Sequence, residues 1–363
     1  MIIIMPRKSY RMVKTKLSHI LLLLLSILMA GCMNKSKGVS NENVASSKSD
    51  TITNSVKFDF KNASEISADL HRKCIIRFDE DTENILGGIQ QIVVRGDTVY
   101  AVDPAKNPGL YAYLKDGSQL FAYCDNGSGP EDIASPMSLA VTDYEITVFD
   151  FATKKLISFT KDGSFKHAMD LSMDVTGAIK DSNGGIWTDY SNQDYNDEKL
   201  SWKKDEESKP KTVLTVPEHL KGMTAVPLMN LAQLANGELR YIPSIEPYIY
   251  ALRNGEAVLM YELDFMGKWP SNDEITAEFQ GYDWAQKFRD FPIHIKGFAE
   301  NDRWLVVGAN FNKKLYIAVY DKFAHASRTY VDSKQEYFNP LYVEDSDLYM
   351  NRSDDGIEIL KLD

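Results

Sequence analysis

The sequence predicts an all-β protein, a six-bladed β-propeller of four-stranded antiparallel blades, and three observations predict it. Met137–Asp170 reads as four short strands, MSLAVT, EITVFD, KLISFT and SFKHAMD, rich in β-branched and aromatic residues with frequent apolar alternation. Their connections are Asp143-Tyr144, Phe151–Lys154 and Asp162-Gly163, the last a hairpin dipeptide that tolerates positive φ. A four-stranded meander of this size is one propeller blade. The same pattern returns along the chain at loose spacing, as it does where loops carry insertions. Finally, the last repeat lacks a fourth strand, while one unassigned strand stands upstream of the first.

Taken in order, residues 1–31 carry Arg7, Lys8, Arg11, Lys14 and Lys16 and no acid, ahead of the apolar run Ile20–Ala30. That run is about half a membrane-spanning helix, so it reads as a signal sequence. It ends in Leu28-Met29-Ala30-Gly31-Cys32, which resembles the lipobox of bacterial lipoproteins. The resemblance implies diacylglycerol on the Cys32 thiol, cleavage before Cys32, and acylation of the new amino terminus. Several acyl chains hold a protein at a membrane far more firmly than one. The alternative is an ordinary secretory signal with a chance cysteine. Met12 offers an equally good start. Residues 32–55 then read as a lipidated cysteine and a polar, Ser-, Asn- and Lys-rich tether with little to bury. Residues 56–363 form the propeller domain.

Within that domain, residues 88–126 give IQQIVV, DTVYAVD, GLYAYLKD and SQLFAYCD, and 137–170 is the second blade. Residues 174–217 give VTGAIK, GGIWTDY, KLSWKK and KTVLTV, and 229–265 give NLAQLA, GELRYIP, PYIYALR and EAVLMYEL with an Asn254-Gly255 turn. Residues 293–331 give HIKGFAE, DRWLVVGA, KLYIAVYD and ASRTYV. The last stretch gives NPLYVED, SDLYMNR and GIEILKLD. The unassigned strand RKCIIRFDE, Arg72–Glu80, completes this sixth blade if it pairs with GIEILKLD. Closure of this kind leaves no open inner edge to aggregate. Two β-domains split near residue 217 are the alternative, and each half would then be an unclosed array.

Two features resemble the TolB-like six-bladed propeller lipoproteins of Bacteroidota. One is Gly127-Ser128-Gly129-Pro130-Glu131-Asp132 after the first blade, similar to that family's Gly-x-Gly-Pro-Gly-Glu stretch but without its second glycine before the glutamate. The other is a strand ending in Asp, a short turn, a basic residue and an aromatic strand, here Val148-Phe149-Asp150, Lys154-Lys155-Leu156 and Phe159. The resemblance spans roughly residues 70–363 and implies the fold and the lipid anchor.

In a four-stranded meander, the loops after the second and fourth strands share one end. Asp103, Asp150 and Asp189, near second-strand ends, therefore share a face with the loop holding Ser128, Glu131 and Asp132, and with the longest insertion, Asp264–Pro292, between blades 4 and 5. This insertion face is the candidate working surface, because functional residues concentrate on loops over a rigid scaffold. In the insertion, Ser271 or Asn272 can cap a helix, Asp273 and Glu274 suit its first turn, and Ile275, Phe279 and Tyr282 follow at helical spacing. Trp269, Tyr282, Trp284 and Arg289 are candidate ligand contacts, the rings either a platform for a sugar or peptide or a lid laid on the propeller. His294 is the histidine expected to face the central channel. The recurring aspartates suit acceptance of turn amides.

A ring of carboxylates could instead hold Ca²⁺, but the inner strands offer Gln90, Gln91, Ser138, Thr176, Asn230, Gln233, His294 and Asn339, so no metal and no cofactor are expected. The histidines at 71, 167, 219, 294 and 325 show no ligand spacing, and no nucleophile elbow, zinc-protease motif or phosphate loop appears. No catalytic residue is named. The net charge of −11, near −16 without residues 1–31, repels phosphate backbones, so nucleic acid is not an expected partner. Two function classes follow. One is a lipid-anchored binding or scaffold protein for a protein, peptide or glycan; the other is a six-bladed hydrolase or lyase acting on a lactone, ester or saccharide. No acidic cluster follows Cys32, so the expected place is the periplasmic side of the outer membrane.

Overall fold

The computed structural model describes residues 54–78, 86, 88–125, 127, 129–191, 197–221, 230–278, 291–292, 294–352 and 356–362. The chain enters as β1 (Asn54–Lys57), β2 (Ser64–Glu65), the single-turn helix α1 (Ile66–Asp69) and β3 (His71–Ile76). Blade 1 is β4 (Gln91–Arg95), β5 (Thr98–Asp103), β6 (Gly109–Leu114) and β7 (Gln119–Tyr123). Blade 2 is β8 (Pro136–Val141), β9 (Ile146–Asp150), β10 (Lys155–Phe159) and β11 (Phe165–Asp170). Blade 3 is β12 (Gly177–Lys180), β13 (Ile186–Asp189), β14 (Glu198–Lys203) and β15 (Lys211–Thr215), followed by a 3₁₀ turn, Glu218–Leu220. Blade 4 is β16 (Leu231–Gln233), β17 (Leu239–Tyr241), β18 (Tyr248–Arg253) and β19 (Glu256–Asp264), and α2 (Asn272–Glu278) follows it. Blade 5 is β20 (His294–Glu300), β21 (Trp304–Phe311), β22 (Lys314–Asp321) and β23 (Ala326–Asp332). Blade 6 is β24 (Tyr337–Glu344), β25 (Asp347–Arg352) and β26 (Ile357–Lys361), with β3 as its outer strand.

The turn chemistry is visible where it matters. Asn254 and Gly255 both adopt positive φ, 51° and 77°, as the tight turn between β18 and β19 requires. Each seam between neighbouring blades holds its own apolar cluster. Blades 1 and 2 meet through Val102, Leu110, Leu139 and Val148, and blades 6 and 1 through Ile76, Phe78, Ile359, Val99 and Tyr111. Blade 5 approaches blade 6 so closely that a Cβ on Gly297 would fall 2.4 Å from the Pro340 carbonyl oxygen. Cys74 and Cys124 are free thiols.

The amino-terminal segment does more than lead to β3. β1 lies parallel to β19, with Asn54 opposite Tyr261 and Lys57 opposite Asp264, and β2 lies parallel to β23. These short strands cover the outer edges of blades 4 and 5, which would otherwise present unpaired amides and carbonyls. Val56 and Phe58 are fully buried between the two blades, and Phe58 stacks on Phe265 at 4.6 Å. The first strand among the described residues opens at Asn54.

β3 runs antiparallel to β26, Ile76 opposite Ile357 and His71 opposite Lys361. Two carboxylates fasten it. Glu358 accepts from Arg72, Arg352 and Tyr337 Oη, and Lys73 and Lys361 each lie 2.5 Å from Asp347. Burial pushes both carboxyls up, but these donors outweigh it and hold Glu358 below its ordinary 4.5 and Asp347 below 3.8. Below those ordinary values the unfolded chain takes up protons that the folded chain refuses. The contribution is therefore full above about pH 4.5 and is lost as pH falls through the lowered values. Hydrogen exchange should find β3 amides losing protection relative to β9 between pH 6 and pH 3; equal protection losses in both strands would contradict the assignment.

Candidate functional site

The three strand-end aspartates are fully buried, and their oxygens meet protein donors. Asp103 accepts from the Gly88 and Ala105 amides at 2.8 and 2.7 Å. Asp150 accepts from the Ala134, Ser135 and Thr153 amides at 2.6–2.8 Å. Each ties the end of a second strand to the chain entering the first strand of the same blade. Asp189 differs. It accepts from Thr176 Oγ1, Ser191 Oγ and, across the seam, Asn230 Nδ2 and Tyr241 Oη of blade 4, the last two at 2.7 Å. In the Gly127–Asp132 loop, Asp132 accepts from the Gly129 amide and Glu131 is exposed. Ser128, Tyr282, Trp284, Arg289 and Cys32 lie outside the described residues, as does the side chain of His294, whose backbone opens β20 opposite Asn310.

Of the expected contacts, Trp269 lies in a substantial cleft. A cavity of about 540 Å³ opens on the insertion face, bordered by Pro217 and His219 after blade 3, by Ile245–Tyr248 within blade 4, and by Glu262–Phe265, Trp269, Asn272 and Ile275. Ser55 of β1 closes one side. The volume lies within the roughly 300–1,000 Å³ of small-ligand sites. Its walls are firmly built. Ile275 packs with Val216, Leu220 and Ile245, and α2 starts with a capping box in which Ser271 Oγ meets the Glu274 amide while Glu274 reaches back to the Ser271 amide at 2.8 Å. Trp269 stacks on Phe265 at 5.2 Å and 23°.

Beneath the cleft, Lys199 of β14 is buried and pairs with Glu246, which lines it. Burial pushes the Lys199 ammonium down, against the pull of the Asp189 carboxylate. His219 is lowered as well, first by burial and then by the charge of Lys199, which favours the neutral imidazole. These three residues were not singled out from the sequence. A signal for one of them was present, since Ile242-Pro243-Ser244-Ile245-Glu246-Pro247 sets a lone carboxylate between prolines in an otherwise uncharged loop.

By contrast, side chains crowd the gap between the inner strands of blades 1, 4, 5 and 6. The gap among Gln91, Ala232, Gln233, Phe298, Glu300 and Leu341 amounts to about 10 Å³, barely one water. Polar side chains brace the inner strands across it. Gln91 Oε1 accepts from the Leu139 amide and Gln233 Oε1 from the Val141 amide, both at 2.8 Å, and Arg95 reaches the Val141 carbonyl at 3.0 Å and that of Ala235 on the far side of the ring. Among the described residues, no group of three or more His, Cys, Asp or Glu side chains is arranged to hold a metal ion, and no helix is long and apolar enough to cross a membrane.

The fold has counterparts among solved structures. A Bacteroides fragilis protein described as exported matches at 17% identity over 85% of this chain and 98% of its own, with a TM-score of 0.70. A Bacteroides vulgatus member of the DUF4221 family matches at 10% identity over 80% and 97%, TM-score 0.50. Virginiamycin B lyase from Staphylococcus aureus matches at 15% over 80% and 99%, TM-score 0.48. At such identities the likeness concerns the fold alone. No curated protein matches the chain. A family model described as a 6-bladed beta-propeller matches residues 45–353, from ahead of the amino-terminal strands through β25, and the chain belongs to that family, DUF5128.

Proposed function

We propose that the protein is a lipid-anchored cell-envelope propeller, TolB-like in plan, that binds a protein, peptide or glycan in the cleft of blades 3 and 4. The observation that carries this reading is the aromatic-walled cavity of about 540 Å³ on the insertion face. Ligand sites are concave, partly aromatic and supplied with a few fixed polar groups, and Trp269, Tyr248, Glu246 and His219 meet that description. Purification of the full chain from detergent-solubilised envelopes should bring down bound material that a Trp269→Ala variant of equal melting temperature loses by at least about tenfold, the effect of some 1.4 kcal/mol. Equal recovery with both proteins would count against the cleft.

The anchor rests on the signal-like residues 1–31, the lipobox-like run ending in Cys32 and the polar residues after it. We place the protein on the periplasmic side of the outer membrane, without a nucleic-acid partner. Cys32→Ser should move the protein from the membrane pellet to the soluble fraction; a variant that stays in salt-washed membranes would defeat the lipoprotein assignment. A second reading, a hydrolase or lyase acting on a lactone, ester or saccharide, is favoured by one observation. The buried Lys199–Glu246 pair and a histidine held toward its neutral form converge on the cleft. Turnover of a co-purified ligand, abolished by His219→Ala, would establish it.

A further inference from the structure

Resting on the reading of this cleft as a binding site, we propose that its ligand is a donor-rich saccharide, an uncharged or amine-bearing pyranose and not an anionic one. The apolar half of the argument is Trp269. Its indole is braced by Phe265, which is in turn braced by Phe58 at 4.6 Å and 21°, so the ring presents a fixed flat face. A fixed aromatic face matches the C–H face of a pyranose and loses little conformational entropy on binding.

The polar half is a matter of sign. Glu246, Glu262 and Asp264 border the cavity, and among its described lining residues there is no lysine or arginine. Ionised carboxylates only accept hydrogen bonds. Lys199, buried beneath the cleft, is paired with Glu246. Sugar hydroxyls or an ammonium would satisfy such acceptors. A uronate, sulfate or phosphate would meet like charges in a partly desolvated site, where repulsion exceeds that in water. Peptide binding by strand addition is disfavoured at this wall, because β1 already occupies the outer edge of β19 from Tyr261 to Asp264.

The test is a printed array of neutral, amine-bearing and anionic glycans probed with the full chain in detergent. Binding should fall on neutral or amine-bearing glycans, and Trp269→Ala should weaken it at least tenfold. Glu262 is exposed on β19, so Glu262→Lys should fold normally. It should weaken amine-bearing glycans at least tenfold and improve anionic ones. Binding confined to anionic glycans would overturn the proposal, as would an array without binding or a Glu262→Lys protein of unchanged preference. The broader cleft reading fails separately, when Trp269→Ala leaves the material co-purified from envelopes undiminished.

Discussion

A chain lacking residues 33–78 is expected to accumulate no folded protein, whereas one lacking only 33–53 should melt with the full-length chain. The longer deletion strips the outer strand from blade 6 and the strands that cover blades 4 and 5. It also removes Val56, Phe58, Ile66, Leu70, Ile76 and Phe78, all buried in seams between blades. Burying one such side chain is worth roughly 1.5–3 kcal/mol, so their sum rivals the whole 5–15 kcal/mol that typically separates folded from unfolded chains. A deletion of 33–63 should fall between, with most of its cost at Phe58. Phe58→Ala alone should lower stability by about 3–5 kcal/mol, since the site is closed on every side by Phe60, Phe265 and the blade seam. Thermal melts of the three truncations read the gradient directly. Indistinguishable melts for the 33–53 and 33–78 deletions would mean that the ring does not depend on its amino-terminal strands.

The blades were legible because their signals are local. Asp162-Gly163 and Asn254-Gly255 announce turns without reference to the rest of the chain, and each strand alternates on its own account. The covering strands were not legible for the opposite reason. Val56, Phe58 and Phe60 alternate over only five residues directly behind a polar stretch, and their partners, Tyr261–Phe265, lie some two hundred positions away. The aspartates illustrate the same division. Asp103 and Asp150 hold turns within their own blades, as a strand-end carboxylate suggests, while Asp189 reaches Asn230 and Tyr241 of the next blade. The face carrying the cleft followed from strand topology. Its buried pair did not, because Lys199 reads as one polar residue of an alternating strand and nothing local ties it to Glu246.

A second single-residue effect of that size should come from Glu300, on the face opposite the cleft. Its Oε2 accepts from Arg240 Nε at 2.6 Å; its Oε1 accepts from Lys322 Nζ at 2.6 Å and from Tyr261 Oη at 3.0 Å. The Glu300 and Arg240 side chains are 1% and 4% exposed, so the pair joining blades 4 and 5 has almost no water to fall back on. Glu300→Ala leaves buried Arg240 with Glu238, at 3.0 Å, and the Leu239 carbonyl, and leaves Lys322 with the Asn301 carbonyl beside an emptied site. Breaking a buried pair from one side costs about 3–5 kcal/mol, far more than the pair contributes relative to apolar residues of similar volume. That asymmetry gives the control. A triple change, Glu300→Leu with Arg240→Met and Lys322→Met, should recover most of the stability lost in Glu300→Ala, because no unpaired charge remains. Denaturant titrations of the two variants against the parent decide the matter. A Glu300→Ala protein within about 1 kcal/mol of the parent would show that water reaches Arg240 and Lys322 freely, and that the apolar seam between Leu234, Ile249, Phe298 and Leu305 holds the two blades together by itself.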